Sequence, residues 1–154
     1  MLEKWLQERA DKTILFVGIG NVLKKDDGVG VYVTRHVNNG SRIQSLTVEV
    51  SIENYIGKIN SLKPDLLVLV DCMDLQRPPG AWDFMAASRI RGCTTNTHNL
   101  SLDRVSELFD PPTYILGIQP MDITLGEGLS EPVLATARML TSVIGRCETA
   151  PIIR

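Results

Sequence analysis

The chain has 154 residues, 44% of them hydrophobic and 22% charged, with a formal net charge of -2. That length and balance suit one globular domain, residues 1–154, large enough to fold without a metal or a disulfide. No stretch concentrates lysine and arginine, which excludes a nucleic-acid partner on charge, and no apolar run is long enough to insert in a membrane. Cys72, Cys93 and Cys147 are odd in number and widely spaced, with no C-x-x-C pairing. They fit a reducing compartment rather than a disulfide framework or a zinc-thiolate site. The N-terminal stretch MLEKWLQERADK is charged and lacks the apolar core of a secretion signal, so the expected location is cytoplasmic.

Taken in order, Leu2, Trp5 and Leu6 recur at helical spacing and predict a short amphipathic helix over residues 2–9. Ile14 to Ile19 reads as a buried strand ending in glycines. A helix follows from Gly28 to about Val37, although its β-branched residues weaken helix propensity. Leu46 to Val50 predicts a second strand, and Ile52 to Leu62 a helix with Ile52, Ile56 and Ile59 on one face. Leu66 to Val70 is a third strand, apolar on both faces as in a covered parallel sheet. Gly80 to Met85 predicts a shorter strand after the Pro78-Pro79-Gly80 turn. Residues 86–97 read as irregular, Leu100 to Phe109 as a helix and Tyr114 to Ile118 as the last strand. A loop from Gln119 to Leu129 leads to a final helix from Ser130, its expected N-cap, to about Arg146.

This alternation predicts a three-layer α/β/α sandwich around a mainly parallel sheet of about five strands. Ligands of such sheets bind in the crevice outside the C-terminal ends of the strands. Three groups of polar residues fall there. The first lies in the loop Gly18-Ile19-Gly20-Asn21-Val22-Leu23-Lys24-Lys25-Asp26-Asp27-Gly28. It departs from the dinucleotide fingerprint G-x-G-x-x-G, because Leu23 stands where the third glycine belongs. Two carboxylates ahead of the helix would also repel a phosphate, so the loop suits a cation. Alternatively, Asp26 or Asp27 simply caps the helix. The second group is Asp71-Cys72-Met73-Asp74, where a carboxylate directly after a strand either lines the crevice or bonds to its own turn. The third is His98, either a ligand or a capping residue, while His36 falls in a helix and reads as structural. Together Asp27, Asp71 and His98 offer two hard oxygen donors and an imidazole, a set suited to a divalent first-row metal with positions left open.

With these residues identified, the chain resembles the hydrogenase maturation endopeptidases, most closely the branch serving hydrogenase 3 of formate hydrogenlyase. GIGNVLKKDDGVG, VDCMDLQRPPG, TNTHNLSLDRV and ILGIQP followed by GEGLSEPV match the family's blocks in order, across residues 14 to about 134. The resemblance implies nickel ligation by Asp27, Asp71 and His98, with catalytic roles for Asp27 and Asp71. It further implies substrate contacts at Gly18, Gly20, Asn21 and Gln119. The nickel is expected to arrive with the partner, a nickel-loaded large-subunit precursor of a nickel–iron hydrogenase, whose C-terminal extension is cleaved. The free enzyme is expected to be a monomer. One departure is local: the Asp-Gly-Gly turn common after strand two is replaced by Val48-Glu49-Val50-Ser51-Ile52, followed by Glu53-Asn54, so the backbone there is expected to differ. Cys72 is expected to be a packing residue, because no base is placed to activate it. Two rival readings are a nucleotide-binding module and a nickel chaperone that does not cut.

Overall fold

The computed structural model describes residues 1–90 and 102–149. Its centre is a five-stranded sheet in the order β2-β1-β3-β5-β4, formed by β1 (Ile14–Ile19), β2 (Ile43–Glu49), β3 (Leu66–Cys72), β4 (Trp82–Ala86) and β5 (Thr113–Ile118). The pairs β1–β2, β1–β3 and β3–β5 are parallel, and β4 closes one edge antiparallel to β5. One face is covered by α1 (Leu2–Glu8), α2 (Val29–Arg35) and α5 (Glu131–Thr149), which enclose Phe16, Val68, Val70 and Leu116. The other is covered by α3 (Ile56–Leu62) and α4 (Leu102–Ser106), packed on Leu15, Val17, Leu67, Leu69 and Ile115. The architecture is therefore the three-layer α/β/α sandwich that the alternation of elements predicts. The side chains of β1 alternate between the two cores, which is why its sequence is apolar without a break.

Several boundaries differ from the sequence reading for identifiable reasons. β2 begins at Ile43, three residues before the expected Leu46. Ile43 is buried, pairs with Ile14, and donates its N–H to Glu148 of α5 at 2.6 Å. Polar Gln44 and Ser45 conceal this half of an edge strand. β3 runs on to Cys72, so Asp71 lies inside the strand, in register with Gly117, rather than after it. The helix expected from Ile52 opens as a 3-10 turn, Ile52–Tyr55, before α3. Ser130 precedes α5, and its carbonyl accepts the Leu134 N–H, but its hydroxyl is donated to Asp26. The early part of the Leu100–Phe109 helix lies outside the described residues, as does Cys93.

The order places β2 on one side of β1 and β3 on the other. The connections leaving β1 and β3 therefore diverge, and a crevice opens between their C-terminal ends. α2 packs into this divergence, and Gly30 is what lets it approach. A β-carbon at Gly30 would lie 2.1 Å from the Val70 carbonyl oxygen and 2.5 Å from that of Ile19. The helix that carries the acidic loop is thus pressed against the ends of both strands.

Candidate active site

The loop after β1 leads into a 3-10 turn, Lys25–Gly28, that contains both carboxylates, and α2 follows directly. Neither aspartate caps a helix; no side-chain cap bond is made at either start. Their fates differ. Asp26 is fully buried and turns toward the loop before α5. Its Oδ2 accepts the N–H groups of Met121 (2.9 Å) and Asp122 (3.1 Å) and the Ser130 hydroxyl (2.8 Å), while Oδ1 accepts the Ser130 N–H (2.7 Å). Asp26 is a clasp between two loops. Asp27, 2% exposed, accepts the Asn21 N–H on Oδ2 at 2.9 Å, which fixes its carboxylate against its own loop.

Asp71 is 0% exposed and accepts the Cys72 N–H on Oδ1 at 2.8 Å. By strand periodicity it shares a face with Leu69 and Met73, which pack on the α3–α4 side of the sheet, while Val70 and Cys72 face the other core. The charges of these carboxylates all reach Cys72, which follows Asp71 in β3. Burial first, then the charges of Asp71, Asp27, Asp26 and Asp74, push its thiol far above the ordinary cysteine range. A buried thiol inside the field of four carboxylates cannot supply a thiolate near neutrality, so Cys72 packs and does not attack. That same convergence of negative charge in a poorly solvated crevice favours a cation over an anion.

The crevice wall is stapled. Lys25 donates its N–H to the Gly126 carbonyl (3.0 Å), and Gly126 donates to Leu23 (2.9 Å). The Lys25 ammonium bonds Asp122 at 2.9 Å. The Asp122 carboxyl is held below the usual carboxylate range by the Thr124 N–H, Lys25 and the Thr124 hydroxyl. Three non-glycine residues with left-handed backbone surround this end of the sheet: Lys25 (φ 49), Glu49 (φ 56) and Gln76 (φ 54). Each such conformation costs about 1–3 kcal/mol and marks a backbone held by its surroundings. Glu49 turns left-handed without being a glycine, and its carbonyl accepts the Gly20 N–H at 2.8 Å.

The remaining expected contact residues act on the frame of the site. A β-carbon on Gly18 would strike the Thr34 hydroxyl at 2.2 Å, and one on Gly20 (φ +144) the Asp27 carbonyl at 2.0 Å. Both glycines therefore permit α2 and the acidic turn to close on β1. Asn21 orients Asp27 through its N–H, and its own side chain accepts the Leu23 N–H at 3.0 Å. Gln119 joins the loops after β3 and β5, accepting the Leu75 N–H at 2.5 Å and exchanging backbone bonds with Gly80 and Ala81. His98 lies outside the described residues. Among the described residues, no three His, Cys, Asp or Glu side chains are grouped to hold a metal. His36 ends α2, where its ring stacks on Tyr32 at 4.0 Å and its Nδ1 lies 2.7 Å from the Tyr32 carbonyl oxygen, a structural role. The clasp role of Asp26 escaped the sequence, because its partners are 95 to 104 positions away.

No protein-family model matches the chain. Among curated proteins it is 25% identical over 150 residues to a Methanocaldococcus jannaschii protein named as a hydrogenase maturation protease, covering 86% of this chain and 87% of that one. It is 29% identical over 130 residues to the hydrogenase expression/formation protein HupD of Thiocapsa roseopersicina, covering 75% of this chain and 58% of HupD. Among solved structures it superimposes on the nickel–iron hydrogenase maturation protease HycI of Thermococcus kodakarensis with a TM-score of 0.80 and 28% identity, over 90% of this chain and 94% of that chain. In fold and along most of its length the chain is similar to hydrogenase maturation proteases, and this likeness supports an enzyme of the peptidase class.

Proposed function

We propose that this chain is a cytosolic, monomeric endopeptidase that removes the C-terminal extension of a nickel-loaded large-subunit precursor of a nickel–iron hydrogenase. In this reading it recognises the nickel through Asp27, Asp71 and His98. The single observation that supports this most is the burial of two carboxylates, Asp27 on the turn after β1 and Asp71 at the end of β3, beside the crevice between these neighbouring strands. Hard oxygen donors with an imidazole suit nickel, and open coordination positions suit an ion that remains bound to the precursor. The nickel is part of the substrate. Asp27 and Asp71 hold it near the scissile peptide, and one of them takes the proton from the attacking water and passes it to the leaving amine. Gly18, Gly20, Asn21 and Gln119 support the substrate's path by fixing the loops. The identity with a HycI protein supports the hydrogenase 3 branch as the origin of the precursor. Among the described residues no helix is long and apolar enough to cross a membrane.

Incubation of the chain with nickel-loaded and nickel-free precursor, followed by mass spectrometry, tests the proposal. The expected result is loss of the tail from the loaded precursor alone. Cleavage of both would remove nickel recognition. Binding without cleavage of either would favour a chaperone.

A further inference from the structure

The two stapled loops beside the crevice carry large apolar side chains facing solvent: Leu23 is 56% exposed, Met121 60% and Leu125 80%. Val22, next to Leu23, is also exposed. Their grouping follows from the backbone. Gly126 donates to the Leu23 carbonyl and Lys24 bridges Gly126, so Leu23 and Leu125 lie on adjoining strands of chain. Met121 donates its N–H to Asp26, immediately before Asp27. The same loops form the wall of a cavity of about 270 Å³ whose apolar lining includes Val22, Val31, Tyr32, Leu129 and Leu134. That volume suits one bulky side chain rather than a cofactor, since small-molecule sites typically begin at about 300 Å³.

Exposing such side chains is unfavourable in a free protein, and a contiguous apolar patch marks a place where something else is covered. The occupant is narrowed by charge and by position. Within these loops Lys25 is paired with Asp122 at 2.9 Å, and Lys24 and Glu127 flank the apolar residues. The neighbouring crevice holds Asp26, Asp27 and Asp71, which would repel an anionic bilayer face. The loops that carry the patch also hold the acidic turn, through the Met121 N–H on Asp26 and the Asn21 N–H on Asp27, which sets it beside the crevice where the peptide is held in the reading above.

We propose that Leu23, Met121 and Leu125 form a docking rim for apolar side chains of the precursor polypeptide flanking the cleaved bond, with the cavity beneath Val22 taking one bulky aliphatic or aromatic side chain. This rests on the precursor being the partner. The rim supplies affinity, while the carboxylates supply the chemistry.

The test compares the wild type with the triple variant Leu23→Ser, Met121→Ser, Leu125→Ser and with Val22→Trp, which plugs the cavity. Equilibrium binding of nickel-loaded precursor and the kinetics of its cleavage are measured for each. These side chains are exposed, so melting temperatures should match the wild type. The triple variant should bind the precursor roughly tenfold or more weakly, with KM raised in parallel and kcat nearly unchanged. Val22→Trp should weaken binding in the same sense. Wild-type affinity and KM in both variants would overturn the rim. Vesicle co-sedimentation or self-association lost in the triple variant, with precursor affinity intact, would overturn it in favour of a membrane or a second copy. A wild type that binds precursor without cutting it would remove the peptidase reading but leave the comparison of affinities decisive for the rim. A wild type that does not bind precursor would overturn both.

Discussion

Asp71→Asn is expected to abolish removal of the tail, lowering the cleavage rate by roughly 10²–10⁴-fold, while leaving the fold intact. The substitution preserves shape, and an asparagine oxygen can still accept the Cys72 N–H that Asp71 accepts at 2.8 Å. What it removes is one negative charge from a crevice that gathers several of them. A cation held there loses a hard donor, and water loses a base. Asp27→Asn should behave alike, since the bond it accepts from the Asn21 N–H also survives the change. Neither variant should melt below the wild type, because each relieves carboxylate repulsion in a buried site. His98→Ala, on the family resemblance, should fail in the same assay. Full cleavage by all three would remove the assignment; a collapsed melting transition in Asp71→Asn would give that residue a structural role instead.

Asp26→Ala is expected to fail differently. Four hydrogen bonds end on that carboxylate, three of them from backbone N–H groups of residues 121, 122 and 130. Bonds to a charged acceptor are worth more than neutral ones, and donors left buried without an acceptor add their own penalty. A loss of about 3–5 kcal/mol follows, which for a chain of this size lowers the melting temperature by roughly 10 °C. Asp26→Asn should lose less: its oxygen can serve one side of the clasp while its amide opposes the donors on the other. Thermal melts of Asp26→Ala, Asp26→Asn and Asp27→Asn separate the adjacent aspartates. The expected order of stability is Asp27→Asn above Asp26→Asn above Asp26→Ala. Equal melting of Asp26→Ala and wild type would contradict the clasp.

The contrast between these neighbours shows where sequence reasoning reached its limit. The central strands were legible because a parallel sheet covered on both faces needs unbroken apolar runs, as in β1 and β3. The candidate site was marked out on topological grounds: the chain leaves β1 and β3 in opposite directions, which opens a crevice beside the polar residues at their ends. Asp27 and Asp71 stand out on that ground before any coordinates exist. Which carboxylate of an Asp-Asp pair turns inward to a loop about a hundred residues away is a tertiary fact, and nothing local to Asp26 announces it. The same holds for Glu49. Its left-handed backbone is imposed by neighbours, where a glycine would have declared the turn openly. The start of β2 was hidden because an edge strand tolerates Gln44 and Ser45. The exposure of Leu125 left no signal, because its loop also carries Met121, Ile123 and Leu129, of which Ile123 and Leu129 pack against the core.

Nickel K-edge absorption of the loaded precursor, alone and freeze-quenched with the chain before turnover, tests most directly whether the crevice grips the ion. Added oxygen and nitrogen scatterers in the nickel shell are expected with the wild type, and fewer with Asp71→Asn. A nickel spectrum unchanged by the wild-type chain would mean that the two carboxylates never touch the metal.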